Sequence, residues 1–170
     1  MNLDDIQAVI GSAKARDDGR LAIFVRECVP EASEQEVADA AEVAVEVIES
    51  VPILLARAAQ AADERRLRVV VMPLLEKAAR YFIDPVDLIP EMTQGLAGLL
   101  DDTYLSLRIL ENMNRGPEPL FDAEFDEPLR FLRRLVGKPI STRLDLAAIQ
   151  ALEEVSSHVS QVWEEMGHSA

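Results

Sequence analysis

Val37, Ala41, Ala44, Ile48, Val51, Leu55, Ala58 and Ala62 recur at alternating steps of four and three. An apolar stripe at that period is one face of an α-helix, and it is too long to belong to any strand. Its small residues let a neighbouring helix approach closely. The stripe opens with Ser33 and Glu36, the S-x-x-E order of a capping box. Ser50-Val51-Pro52 lies inside it. Proline has no amide hydrogen to donate, so the expectation is a kink there, or a break with Ser50 as a new N-cap.

The same period runs through the rest of the chain. Leu3, Ile6, Val9, Ile10 and Ala13 mark a first helix, and Leu21, Phe24, Val25 and Cys28 a second, closed by Pro30. Leu67, Val70, Val71, Leu74, Ala78, Tyr81 and Phe82 form the next stripe, which Pro73 either bends or restarts. Leu96, Leu99, Leu100, Thr103, Leu107 and Leu110 form another, with Asp101 and Asp102 inside it on a different side. Leu105, Ile109 and Met113 make this helix apolar on more than one face, so it is expected to be central and its acids at least partly buried. Residues 115–128 read as a connector rich in proline and acid. Leu129, Leu132, Leu135 and Val136 suggest a short helix ended by Gly137 and Pro139. Ser141 or Thr142 then opens a last helix with Leu144, Ala148, Ala151, Val155, Val159, Val162 and Met166 inward. His158 and Trp163 fall beside that seam, His158 as a packing residue. No segment alternates in the strand manner, so the expected fold is an all-α, single-domain bundle over residues 1–170, of about six to eight helices around a central hairpin.

Charge narrows the function. The chain of 170 residues carries 31 acids against 17 bases, a net charge of −14. Nucleic acid and anionic lipid both repel such a surface. The charge is uneven: residues 1–63 sum to −8, residues 64–118 to −2 and residues 119–170 to −4. Cys28 is the one cysteine, so no internal disulfide forms, and its apolar stripe marks it as a small core residue. The first residues lack the basic and apolar regions of a signal peptide, and the charges at Arg68, Glu76, Lys77, Arg80, Glu91, Asp101, Asp102 and Arg108 interrupt both candidate membrane spans. The expectation is a cytoplasmic protein, with membrane association as the alternative.

The most distinctive stretch is YFIDPVDLIPEMTQGLAGLLDDTYL, from Tyr81 to Leu105. Asp84-Pro85-Val86-Asp87 reads as a helix start, with Asp84 as N-cap, Pro85 in the first turn and Asp87 facing the unpaired amides. Leu88 and Ile89 anchor that turn, Pro90 limits it, and Gly95 and Gly98 allow a tight bend or close approach. Asp101 and Asp102 are expected to meet a base from Arg65, Arg66, Arg68, Lys77 and Arg80, or a helix end. The alternative is that Asp84, Asp87, Glu91, Asp101 and Asp102 supply oxygen ligands to Mg²⁺ or Ca²⁺. No cofactor is expected otherwise. No serine, cysteine or histidine stands in a nucleophile context and no glycine-rich phosphate loop is present, which argues against an enzyme.

Tyr81, Pro85-Val86-Asp87-Leu88-Ile89-Pro90 and Gly98-Leu99-Leu100-Asp101-Asp102 together resemble the YkvA-like family, bacterial domains of unknown function, over roughly residues 66–107. Glu91 stands where that family usually has Asp, the turn from Pro90 to Gly98 is about one residue longer, and Thr93-Gln94-Gly95 replaces an Ile-Pro element. The resemblance implies a compact helical hairpin around the two motifs and no particular activity. The functional expectation is therefore a non-enzymatic helical protein acting through a protein partner or a second copy of itself. The runners-up are a divalent-cation enzyme or sensor and a membrane-associated protein.

Overall fold

The computed structural model describes residues 1–84 and 95–168, and on the last helix it leaves out the side chains of 159, 162, 163 and 165–168. The described residues form seven helices and no strand: α1 (Leu3–Arg16), α2 (Arg20–Cys28), α3 (Glu34–Glu64), α4 (Arg68–Ile83), α5 (Leu100–Asn114), α6 (Asp126–Val136) and α7 (Lys138–His168). A 3-10 turn over Leu96–Leu99 leads into α5. The all-α expectation holds, and one apolar core draws residues from every helix.

α3 begins as its sequence dictates. The Ser33 hydroxyl accepts the Glu36 amide at 3.2 Å while the Glu36 carboxylate accepts the Ser33 amide at 2.7 Å, which satisfies two end donors reciprocally. That second bond also holds the Glu36 carboxyl below its ordinary range. Of the kink or break expected at Pro52, the break does not occur. α3 runs unbroken through Pro52, and Ser50 is no N-cap, because its hydroxyl donates back to the Val47 carbonyl at 2.6 Å. An interior proline costs about 3 kcal/mol or more in an isolated helix. Here Ile48, Val51 and Leu55 are wholly buried on either side of it, and that packing offsets the cost. Pro73 likewise sits inside a continuous α4.

α5 is the axis. It packs against α3, α4, α6 and α7, and every residue from Leu100 to Leu107 is buried. Close approach to α4 is set by a small pair: the Ser106 hydroxyl donates to the Ala78 carbonyl at 3.1 Å. The helix starts later than its stripe suggests, since Leu96 and Leu99 belong to the 3-10 turn. That turn is docked on the end of α1. The Asp17 carboxylate accepts the Leu96 amide at 3.3 Å and the Leu21 amide at 3.4 Å. Gly95 has φ of +89°, and a Cβ there would lie 3.1 Å from Asp17 Oδ1, so only glycine fits.

One further expectation is corrected. α7 opens at Lys138, directly after the left-handed Gly137, and not at Ser141 or Thr142; the Ser141 hydroxyl donates to the Lys138 carbonyl. The 115–128 connector is tied down. Asn114 exchanges two bonds with the Phe121 backbone, Arg57 donates to the Asp122 carbonyl at 2.5 Å, and Leu120 and Phe125 are buried.

Burial along α3 sets a direct test. Leu55 is wholly buried and Ile53, two residues earlier, is 61% exposed. Leu55→Ala is expected to cost about 2–5 kcal/mol and Ile53→Ala within about 0.5 kcal/mol, measured by urea denaturation.

Candidate functional site

The two halves of the Tyr81–Leu105 stretch fare differently. Tyr81 is half-buried in the last turn of α4, and burial pushes its phenol up. Asp84 is exposed and closes α4, its amide donating to the Arg80 carbonyl at 2.7 Å. Its expected partners in a following turn, Pro85, Val86, Asp87, Leu88, Ile89, Pro90 and Glu91, lie outside the described residues. Gly98 falls in the 3-10 turn. Asp101 and Asp102 are buried, 2% and 1% exposed, in the first turn of α5, where the helix dipole favours carboxylates. Asp101 Oδ1 accepts the Asp102 amide at 3.0 Å. Of the bases expected opposite them, Lys77 pairs with Glu154, Arg68 with Asp63 at 2.7 Å, and Arg65 donates to the Pro119 carbonyl at 2.9 Å. Among the described residues no group of three His, Cys, Asp or Glu side chains is placed to hold a metal ion. Cys28 packs with its thiol on the Leu135 carbonyl at 3.2 Å, and burial, with Glu27 second, pushes it up. His158 is exposed and not a packing residue.

A polar cluster that the sequence did not reveal joins α5, α6 and α7. The Tyr104 hydroxyl donates to Asp145 Oδ1 at 2.7 Å and accepts from Arg133 Nη2 at 2.9 Å. Arg108 Nε donates to the same Asp145 oxygen at 2.8 Å, and its Nη1 pairs with Glu111. Burial works against the Arg108 charge, but Glu111 and Asp145 outweigh it and hold the guanidinium above its ordinary value. For Tyr104, burial first and Asp145 second push the phenol up against the pull of Arg133. Every member donates to or accepts from another, so the cluster is a clamp closed on itself.

The surface offers something open. Between the N-terminal half of α4, the end of α5 and the middle of α7 runs a groove of about 410 Å³, with Leu67, Val70, Leu74, Met113, Leu152 and Val155 in its walls. Leu67, Val70 and Leu152 remain 41%, 48% and 36% exposed. Asn112 is also among its lining residues, and its side-chain amide nitrogen is buried with no acceptor among the described residues. Arg65 stands at its rim, and Glu118 is the one acid among its lining residues.

That rim has an unusual backbone. The Leu67 amide donates to the Ala62 carbonyl at 2.8 Å and the Arg66 amide to the Asp63 carbonyl at 3.2 Å, the bond pair of a Schellman motif ending α3. Its left-handed position, φ +59°, is filled by Arg66 where glycine is the usual residue. Arg65, Arg66 and Arg68 are all exposed on this turn. No signal short of the folded turn distinguishes these arginines from solvated surface charges.

No family model matches the chain, and no curated protein or solved structure matches it either.

The clamp has a pH signature. A raised phenol favours the neutral form in the folded state, so its contribution is complete below the unfolded value near pH 10 and is lost as pH climbs through the raised folded value. Tyr104→Phe is expected to lower stability at neutral pH by about 0.5–1.5 kcal/mol and to flatten the alkaline loss, read from urea midpoints across pH 8–11.

Proposed function

We propose that this chain is a non-enzymatic helical module that works by receiving an amphipathic helix of a protein partner in the α4–α5–α7 groove. The observation that carries the reading is the groove itself: three partly exposed apolar side chains, two at the start of α4 and one on α7, flanked by a buried amide that lacks an acceptor among the described residues. Apolar side chains of a docked helix would fill the space between α4 and α7, and a polar atom at its edge would accept from Asn112. The two other polar centres are already engaged internally. Asp101 and Asp102 sit 2% and 1% exposed beneath the α5 start, and Tyr104 and Arg108 are both bonded to Asp145.

The proposal extends to kinship and place. The YkvA-like resemblance remains a proposal resting on Tyr81, Gly98, Asp101 and Asp102 together with residues 85–90, which lie outside the described residues. Among the described residues no helix is long and apolar enough to cross a membrane, which is compatible with the proposed cytoplasmic location.

Affinity capture from the native host with three baits tests the docking reading. The wild-type chain and Ile53→Glu, altered at an exposed α3 position that does not line the groove, are expected to retain the same partner. Val70→Glu is expected to lose it. A partner retained equally by Val70→Glu would refute the groove as its site.

A further inference from the structure

We infer that α6 and the first half of α7 form a second docking surface, whose partner is an acidic protein segment with apolar side chains among its carboxylates. This surface shares no residue with the α4–α5–α7 groove and does not depend on how the groove is used. Charge complementarity carries it. Between Pro128 and Leu144 stand five of the chain's 17 bases, Arg130, Arg133, Arg134, Lys138 and Arg143, and none of its 31 acids. All five are exposed. Arg133 donates to the Tyr104 hydroxyl and stands 4.0 Å from Asp145. Arg130, Arg134, Lys138 and Arg143 form no ion pair among the described residues. Elsewhere Lys14, Arg68, Lys77, Arg108 and Arg115 each have an acid. Helix stability accounts for only part of the run. Arg133 and Arg134 lie in the last turn of α6, where the dipole favours cations. Lys138 and Arg143 lie in the first two turns of α7, at the end that favours acids, and the first turn of α7 holds none.

The bases adjoin an apolar stripe. Lys138, Thr142, Leu146 and Ile149 recur at steps of four, four and three, so they share one face of α7. All four are exposed, Leu146 by 58% and Ile149 by 44%. The opposite face of the helix, with Leu144, Ala148 and Ala151, is buried in the core. A basic surface that also presents two large aliphatic side chains fits a partner that is both anionic and apolar.

The extent of the surface selects a short protein segment over other anions. Acids bound it along the chain: Asp126 and Glu127 are exposed at the start of α6, and Glu153 is exposed further along α7. Glu36 lies across a hollow from Arg134, where its carboxylate accepts the Ser33 amide. A long nucleic acid or a flat anionic bilayer extends past the bases to these carboxylates and is repelled there, as it is by the net charge of −14. A nucleic-acid backbone also leaves Leu146 and Ile149 uncovered. A short acidic segment meets the bases alone, because charges beyond about 8 Å are screened at physiological salt.

Fluorescence anisotropy on the full chain tests the inference, with a fluorescein-labelled synthetic peptide of repeated Glu-Leu-Leu-Glu as the probe. Wild type is expected to bind it, and to bind less as salt rises. Arg134→Glu with Lys138→Glu is expected to weaken binding about tenfold or more. Leu146→Ser with Ile149→Ser is expected to weaken it while leaving the salt dependence in place. Arg16→Glu with Arg80→Glu, which changes the net charge equally on α1 and α4, is expected to bind as wild type does, and so is Val70→Glu. Circular dichroism melts confirm that each form is folded. A wild type that does not bind the peptide overturns the inference. So does full binding by the Arg134 and Lys138 reversal, or an equal loss in the Arg16 and Arg80 control. Tighter binding of a single-stranded RNA oligonucleotide, or of phosphatidylserine vesicles, than of the peptide overturns the choice of partner and with it the inference. A peptide lost only in Val70→Glu occupies the groove, in which case the second surface falls and the groove reading stands.

Discussion

The burial of α5 on every side is the constraint to which the rest of the fold answers. A helix with solvent on one face can leave its polar side chains wet. α5 has no such face from Leu100 to Leu107, yet it carries Asp101, Asp102, Thr103, Tyr104 and Ser106 in that span. Each buried polar group costs free energy unless a partner is supplied from the protein. The surrounding helices supply partners to several of them, while the Thr103 hydroxyl has none among the described residues. α4 offers the Ala78 carbonyl to Ser106, α7 brings Asp145 to Tyr104 and Arg108, and α6 brings Arg133 to the Tyr104 hydroxyl. These bonds have directions that apolar contacts lack, so they set how the three helices register against α5.

Much of this architecture was legible in the sequence because helical periodicity is a local signal. The Ser33–Glu36 box, the α3 seam, the termination at Gly137 and the centrality of α5 all follow from residues within a few turns of one another. What was not legible depends on distance. Pro52 reads as a breaker until the packing of Ile48, Val51 and Leu55 against other helices is known. Asp17 is an ordinary surface acid in sequence, yet it receives the Leu96 amide 79 positions away. Asp145 and Arg133 are 41 and 29 positions from Tyr104, beyond the reach of any motif. The start of α7 was misplaced for the opposite reason, since Ser141 is a fine cap locally and loses to the turn that Gly137 imposes. Of the candidate site, the burial of Asp101 and Asp102 was foreseeable from the apolar faces of α5, whereas the groove arises only when α4, α5 and α7 meet.

The division of labour that results is between an internal polar clamp and an apolar edge that stays open. Inside, the Asp145 and Glu111 carboxylates, the Arg108 and Arg133 guanidinium groups and the Tyr104 phenol are engaged with one another and tie α5, α6 and α7 together. At the edge, Leu67, Val70 and Leu152 stay partly open beside a turn in which Arg66 occupies a backbone conformation better suited to glycine. Residues that depart from the locally preferred choice are where a fold gives up stability for function.

Native-state hydrogen exchange resolved by residue tests most directly whether α5 is the axis on which the structure depends. If it is, the amides from Tyr104 to Leu110 exchange only through global unfolding, with protection that tracks the full denaturation free energy, while amides in the distal half of α7 exchange through much smaller openings. Protection in α5 that falls well below the global value, or that is lost before that of α1 and α2, would contradict the account.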